Sequence, residues 1–325
     1  TNIVSQGLGR DYQYKKANRK KIVDLFSTLE FHKLANDVEF ESSDNDSKVI
    51  IDTNSNSQVS YEHYQTITDI NNVKNIITEI EKHGFAAIDL ETTSLVTTSA
   101  QIVGIAISYQ KARAFYIPVA HEELSRQLDR NEVLSLLKLV LENPSIQWIG
   151  QNIKYDYQVF KNYNITIKNV SFDTMIASYL LEAHLNAHNL DILALKYLNH
   201  NTIHFADLFD PKEKNPQFSK VPIAKATNYS CEDVDVTFLL KEILEARLKA
   251  ENLYDLFIRL EMPIVKILAE MEYAGVCIDD NKMRVLSQQF GEEAGQITRE
   301  IYELAGTEFN LNSPKQITEI FFEKL

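Results

Sequence analysis

Two acidic side chains interrupt an otherwise apolar stretch, AAIDLETTSL, at residues 86–95. The stretch predicts a strand, and because the side chains of a strand alternate between its two faces, Asp89 and Glu91 project from the same side. Two carboxylates held that close repel each other unless one is protonated or a cation lies between them. The pair is therefore either an accident at the edge of a sheet or one half of a metal site.

A second segment, GQNIKYDYQVF at 150–160, predicts a turn that leads into a helix. It places Asn152 near the start of the helix and both Tyr155 and Asp156 one turn in. Taken alone, an acid in a first helical turn is commonly just a favourable charge at the positive end of the helix. Asp156 gains a functional interpretation only together with other acids.

Two further segments complete the set of candidates. In NYSCEDVDVTFLL, at 228–240, Tyr229 and Asp233 are four residues apart and so share one helical face, whereas Asp235 lies on another. In HNTIHF, at 200–205, Phe205 is either a core side chain or an aromatic surface for a base.

The elements that must position these residues follow an α/β pattern. The chain from 152 to 325 is predicted to be nearly all helical. Of the three successive strands at 85–90, 101–109 and 112–118, two are predicted to be hairpin partners. Together the order predicts a mixed central sheet flanked by helices, followed by a mostly helical C-terminal segment. Strands are predicted at 61–67, 85–90, 101–109, 112–118 and 145–150, and helices at 69–84 and 131–144.

The first 58 residues are predicted to form a unit of another kind. A helix is predicted over 19–34, led by a basic cluster, KKANRKK. The segment at 41–60 is rich in Ser, Asn and Asp and cannot pack a core, which is typical of a linker.

Composition limits the class of protein. The 325 residues suffice for one large or two modest domains, and the net charge of −13 argues against nonspecific gripping of duplex DNA. Neither a run of eighteen apolar residues nor a charged-then-apolar leader occurs, so neither a membrane span nor a secretory signal is expected. Cys231 and Cys277 are too few for a disulfide framework, which favours a reducing, cytoplasmic location.

The acids and the tyrosine form an ordered set that resembles the D-E-D-D exonuclease superfamily in its tyrosine-bearing version. More narrowly, the chain resembles the proofreading 3′–5′ exonuclease domain of the bacterial DNA polymerase I family (family A). The resemblance covers residues 60–325. The motifs that carry it, besides the five residues Asp89, Glu91, Asp156, Tyr229 and Asp233, are YIPVAH (116–121), GQNIKYD (150–156), FDTMIASYLL (172–181) and YSCEDVDVT (229–237).

This resemblance implies a ribonuclease H-like exonuclease fold over residues 59–250. Residues 251–325 resemble the start of the polymerase domain, at the base of its thumb. The palm carboxylates and the fingers helix that polymerisation needs would lie further along a polymerase, so no DNA synthesis is expected from these residues. The rest of such a polymerase would be a partner if the natural chain is longer. The location implied is bacterial-type cytoplasm, near the nucleoid.

The resemblance also implies two divalent cations, Mg²⁺ or Mn²⁺, which oxygen ligands favour over zinc. Asp89 would bridge both ions, Glu91 and Asp233 would complete the tighter site, and Asp156 would support the second ion through water. Tyr229, with Glu91, would orient the attacking water. The product would be a 5′-mononucleotide released from a 3′ end during replication and repair.

The implied substrate is a single-stranded or frayed 3′ end of DNA. Unpairing a terminal base costs a few kcal/mol and less at a mismatch, which favours removal of misincorporated nucleotides. Leu95 and Phe205 match the family positions that wedge and stack against terminal bases. Asn152 and Tyr155 match positions that contact the strand.

Three alternatives remain at this point. An RNA-trimming exonuclease of the same superfamily would share the acids, and a noncatalytic DNA-binding scaffold would share the fold. The pairs His184–His188 and His200–His204 have a four-residue spacing that invites a structural zinc. Neither pair carries the glutamate of the H-E-x-x-H motif, and no cysteine is near either pair in sequence.

Overall fold

The computed structural model of the chain describes residues 59–211 and 213–324. The helix predicted over 19–34, and the linker as far as residue 58, lie outside the described residues. The described part is α/β, as predicted.

A six-stranded sheet forms its centre, with the strand order β1-β4-β3-β2-β5-β6. Strand β3 runs antiparallel to both of its neighbours, and the other adjacent pairs are parallel. The strands are β1 (Tyr64–Thr66), β2 (Phe85–Thr92), β3 (Ile102–Gln110), β4 (Arg113–Pro118), β5 (Gln147–Gly150) and β6 (Val170–Asp173).

Helices flank this sheet, and the longest of them crosses it. The helix of 28 residues, α6, packs against β1 to β5. Strands β3 and β4 are buried almost throughout, as expected for near-continuous apolar strands covered by helices. The helices are α1 (Ile70–His83), α2 (Arg130–Leu141), α3 (Ile153–Lys161), α4 (Thr174–Leu181), α5 (Leu190–Leu198), α6 (Ile223–Ala250), α7 (Met262–Ala274), α8 (Asp280–Ala305) and α9 (Pro314–Glu319).

Helix α1 shows why the sequence located its ends well. The Asp69 side chain accepts a hydrogen bond from the amide of Asn71 and so caps the first turn. Gly84 ends the helix with a φ of 75°, a left-handed conformation that costs glycine little. Both signals are local, and the predicted helix over 69–84 is confirmed.

Two predictions about the strands need correction. The strand predicted over 61–67 is shorter, because Tyr61–His63 forms a 3₁₀ turn before β1 begins. The prediction of nearly all-helical structure after residue 152, with interruptions near 210–220 and 273–280, missed β6, which pairs in parallel with β5. Four residues are too few to show a period, and their pairing depends on a distant strand.

The C-terminal part is helical, as predicted. Helix α7 packs against α3, and a π-helical turn, Phe257–Glu261, precedes it. Helix α8 is 26 residues long, and none of its side chains is buried. Among the residues that the structure describes, no helix is both long and apolar enough to cross a membrane.

A cluster of charged groups joins three helices at the end of α6. The Glu182 carboxylate, at the end of α4, accepts hydrogen bonds from Tyr197 Oη at 2.8 Å, Arg247 Nη1 at 2.6 Å and Lys196 Nζ. Burial by itself would raise the pKa of Glu182, but these donors outweigh it and lower the pKa to about 2. The carboxylate therefore contributes stability as an anion.

We expect Glu182→Ala to lower the free energy of unfolding by about 2 to 3 kcal/mol, because it removes the carboxylate that the partly buried cations Lys196 and Arg247 share. Urea denaturation at neutral pH measures this. A folded-state pKa below the unfolded value of 4.5 means that the contribution is full above pH 4.5 and is lost as pH falls towards 2. The difference in unfolding free energy between wild type and Glu182→Ala should therefore decrease as pH falls from 4.5 towards 2.

Glu245→Ala is the matched control, because Glu245 lies on α6, the helix of Arg247, and its ion pairs with Lys241 and Lys249 join residues one turn apart on that helix. It should cost about 0.5 kcal/mol. Equal losses in the two variants would contradict the structural role of Glu182.

Candidate active site

Three carboxylates meet at the centre of the sheet. Asp89 and Glu91 lie on β2, and Asp233 reaches them from α6. One oxygen from each carboxylate lies within 4.8 Å of the others, a spacing that could hold a metal ion. The structure thus brings together acids that are far apart in the sequence.

Small residues on the neighbouring strand leave room for these carboxylates and for the side chain of Tyr116. Asp89 pairs with Ala106 on β3, and Glu91 pairs with Gly104. A Cβ atom at Gly104 would collide with the hydroxyl of Tyr116, which occupies that space. Opposed residues share a sheet face, so larger side chains on β3 would crowd the acids.

Burial makes the charges of these carboxylates costly. It raises the pKa of Asp89 to about 6. For Glu91 and Asp233, burial and then the charge of Asp89 raise the pKa well above its usual range. A divalent cation would relieve both effects, because it supplies the missing positive charge.

Asp156 approaches the group from α3. Its Oδ1 accepts the backbone N–H of Leu90, at 3.1 Å, between the two acids of β2. Burial and then the charge of Asp89 raise the pKa of Asp156. The structure therefore places Asp156 beside Asp89, although it is not one of the three residues whose ligand oxygens meet.

The turn into α3 is fixed by another buried acid, Asp173. Its carboxylate accepts the amides of Asn152 at 3.2 Å and Ile153 at 2.9 Å, and also those of Met175 and Ile176 at the start of α4. Asn152 is left-handed, with a φ of 58°. One side chain thus joins the beginnings of two helices and fixes where α3 starts.

Helix α6 supplies two hydroxyls as well as Asp233. Ser230 Oγ donates to Glu91 Oε1 at 2.6 Å, and both residues are buried. Tyr229 is half-buried, and burial followed by the charges of Asp233 and Glu91 raises the pKa of its phenol. The Tyr229 hydroxyl therefore keeps its proton and can act as a hydrogen-bond donor.

The four residues predicted to contact DNA lie at different depths around this group. Leu95 follows β2 and is 92% exposed, and Asn152 is also exposed. Tyr155 is half-buried, and its hydroxyl donates to the carbonyl of Ser94 at 2.6 Å. Phe205 is 45% exposed, so it is not the core side chain that composition alone favours.

Phe205 belongs to an aromatic group beside Tyr229. The Phe205 ring centroid is 5.0 Å from that of Phe209 and 6.5 Å from those of Tyr229 and Phe218. One edge of the site is therefore a partly exposed aromatic surface.

The histidine pairs do not form a comparable group. Within the described ranges, the one group of three or more potential ligands consists of the three carboxylates. His188 Nδ1 is 2.8 Å from Ser178 Oγ, and His204 Nδ1 is 3.0 Å from Asp191 Oδ2. Oxygen ligands alone converge, which disfavours zinc.

Two residues of the site were not identified from the sequence. Ser230 lies three residues before Asp233, so helical spacing could have placed it on the same face. Asp173 stands between a short strand and a helix, where an acid commonly caps the helix. No feature of the sequence around Asp173 indicated that its side chain also bonds the turn at Asn152.

The sequence is similar to a known family and to known proteins. Residues 64–249 match the profile of a 3′–5′ exonuclease family. A DNA polymerase I from Pseudomonas aeruginosa is 35% identical over 312 residues, which are 94% of this chain and 34% of that protein. A DNA polymerase I from Borreliella burgdorferi is 38% identical over 263 residues, which are 81% of this chain and 28% of that protein.

A solved structure shares the fold. The polymerase domain of Pol1 from M. smegmatis, in complex with DNA primer-template and dNTP, has a TM-score of 0.65 at 20% identity. The match covers 80% of this chain and 41% of that one. This chain spans about a third of the length of the relatives from P. aeruginosa and B. burgdorferi. Since the profile covers more than half of its residues, the chain belongs to the 3′–5′ exonuclease domain family of DNA polymerase I.

Proposed function

We propose that this chain hydrolyses the terminal phosphodiester at the 3′ end of DNA and releases 5′-mononucleotides, with two bound divalent cations. The observation that carries the proposal is the convergence of Asp89, Glu91 and Asp233, with oxygens within 4.8 Å of one another. Membership of the exonuclease family supports the same activity.

The ligand atoms fit hard cations. All are carboxylate oxygens, which suit Mg²⁺ or Mn²⁺. Asp89, Glu91 and Asp233 would hold the ions, with Asp156 beside them. When bound, such ions neutralise the charge of the site and stabilise the attacking and leaving oxygens of a phosphodiester.

The side chains around the carboxylates can orient a water molecule. Tyr229 is protonated and can donate to a water, while Glu91 can accept from one. Ser230 fixes one oxygen of Glu91, so the remaining acceptor positions of that carboxylate have a defined direction. A water held between Tyr229 and Glu91 would be aligned for attack.

The rim of the site suits an unpaired strand. Phe205 offers a ring face for stacking, and Leu95 offers an exposed apolar side chain that could wedge between bases. Asn152 immediately precedes α3 and Tyr155 lies in its first turn, where they could contact the strand. Binding by stacking is compatible with a net charge of −13, because it depends little on basic residues.

We expect Asp89→Ala to reduce Mg²⁺-dependent release of nucleotides from single-stranded DNA by about a thousandfold or more, since the metal effect is worth several kcal/mol. In chelator the variant should melt at the same temperature as wild type or higher, because one of several repelling carboxylates is gone. Digestion of a labelled oligonucleotide and thermal denaturation measure the two effects.

Asp235→Asn is the control for this variant, because Asp235 is a buried acid on α6, two residues after Asp233, that bonds Tyr64 and Ala112 instead. It should keep its nuclease activity. Unchanged digestion by Asp89→Ala would rule out the assignment. A wild-type chain that binds DNA without digesting it would instead be a scaffold, and faster digestion of RNA than of DNA would indicate an RNA-trimming enzyme.

Tyr229→Phe should lower the turnover rate by roughly tenfold or more, because a donor to the attacking water is lost. It should leave Mn²⁺ affinity unchanged, because the phenol is not a proposed ligand. Steady-state kinetics alongside calorimetric Mn²⁺ titration tests both statements. Loss of Mn²⁺ affinity would contradict the proposed role.

Ser230→Ala should weaken Mn²⁺ binding at neutral pH by roughly tenfold, because a buried hydrogen bond to a charged group is lost. The hydroxyl of Ser230 lowers the pKa of Glu91, so its removal raises that pKa further and the deficit should shrink as pH rises. Calorimetry at several pH values measures this. Ser108→Ala is the control, because Ser108 is buried and bonds backbone carbonyls instead; an equal effect there would refute the prediction.

A further inference from the structure

Glu232 is a completely buried carboxylate that the proposed chemistry does not use. It precedes Asp233 on α6 and adds to the negative charge around that acid, whose pKa it helps to raise after burial, Asp89 and Glu91. A buried acid in that position adds repulsion to a group that already repels itself. The hydrogen bonds that the Glu232 carboxylate accepts indicate its structural role.

The carboxylate of Glu232 accepts hydrogen bonds from two separate segments. Tyr61 Oη donates to it from the 3₁₀ turn before β1. His200 Nε2 lies 2.7 Å from Oε1, and the backbone N–H of Ile203 donates to Oε2 at 2.6 Å. Both of these last two residues belong to the segment that follows α5.

That segment, 199–204, connects α5 with the 3₁₀ turn that begins at Phe205. Asp191 holds it too, through Thr202 Oγ1 at 2.7 Å and His204 Nδ1 at 3.0 Å. The side chains of Asp191 and His204 are about half exposed, at 42% and 59%. Glu232 is therefore the buried anchor, and it acts two residues before Phe205.

We propose that Glu232 is a positioning residue that fixes the segment 199–204 to α6 and thereby sets Phe205 beside Tyr229 as the platform for the terminal nucleotide. Because Asp233 is the next residue on the same helix, the anchor ties the platform directly to the carboxylates. The inference rests on the proposed function, in that it assigns Phe205 to the substrate.

Asp235 provides a matched comparison. It is likewise completely buried on α6, and it accepts hydrogen bonds from Tyr64 Oη at 3.0 Å and the backbone N–H of Ala112 at 2.8 Å. It thus ties the same helix to β1 and to the turn between β3 and β4. Neither of these hydrogen bonds involves the segment that carries Phe205.

The experiment compares Glu232→Ala with Asp235→Ala in the full chain. We expect Glu232→Ala to raise KM for single-stranded oligothymidine about tenfold, a loss of about 1.4 kcal/mol, with kcat within about twofold of wild type. Asp235→Ala should leave KM unchanged, and its melting temperature should be similar to that of Glu232→Ala. Anisotropy of a fluorescein-labelled oligothymidine in Ca²⁺ gives the binding effect without turnover, and calorimetry with Mn²⁺ gives metal affinity.

Two further variants test the route of the effect. If Glu232 acts through Phe205, then Glu232→Ala adds little to the KM of Phe205→Ala, and the two effects are not additive. Glu232→Gln keeps an acceptor for the amide of Ile203, so its KM should lie closer to wild type. Additive effects, or equal changes in the Gln and Ala variants, would overturn the inference, because charge near Asp233 would then be the cause.

Failure of this inference differs from failure of the proposed function. If the wild-type chain is inactive and also does not bind oligothymidine, then both the proposed function and the positioning role of Glu232 are wrong. If the wild type is active but Glu232→Ala behaves like Asp235→Ala, then only the positioning role is wrong. The same conclusion follows if Glu232→Ala loses Mn²⁺ affinity while its KM is unchanged.

Discussion

Repulsion among the carboxylates of Asp89, Glu91 and Asp233 is the constraint on which the rest of the site depends. Burial disfavours the charge of each of them, and the charge of Asp89 adds to this effect at Glu91 and Asp233. Such an arrangement is stable only when the surrounding interactions contribute more favourable free energy than the repulsion costs. Here those interactions are the hydrogen bonds of a central strand and the packing of a long helix across five strands.

The scaffold holds the acids through backbone positions rather than flexible loops. Strand β2 is paired on both sides, and Asp173 fixes the start of α3, from which Asp156 bonds back to β2. Hydrogen bonds hold helix α6 at several points along its length. Ser230 bonds to Glu91, and Arg247 bonds to Glu182. Glu232 bonds to the segment 199–204, and Asp235 bonds to the turn between β3 and β4. The proposed chemistry thus lies on elements held by strand pairing and buried hydrogen bonds, while the proposed DNA contacts lie mainly on turns and exposed segments.

The sequence predicted features that depend on local chemistry. Helix α1 was located at both ends by an acidic cap and a glycine, and β2, β3 and β4 were visible as apolar runs. The acids of the site were predicted by type and order. What could not be predicted depends on contacts between distant segments: the pairing of β6 with β5, the bond from Ser230 to Glu91, and the three donors around Glu232. The exposure of Phe205 also required the surrounding structure.

The three converging acids come from a strand near residue 90 and a helix near residue 233, with most of the domain between them. An unfolded chain cannot hold these oxygens together, so any cation that they coordinate binds essentially the native state. By mass action, free cation in excess of its dissociation constant then adds to the unfolding free energy. The ionic composition of the surroundings would thereby set how long the domain resists proteolysis.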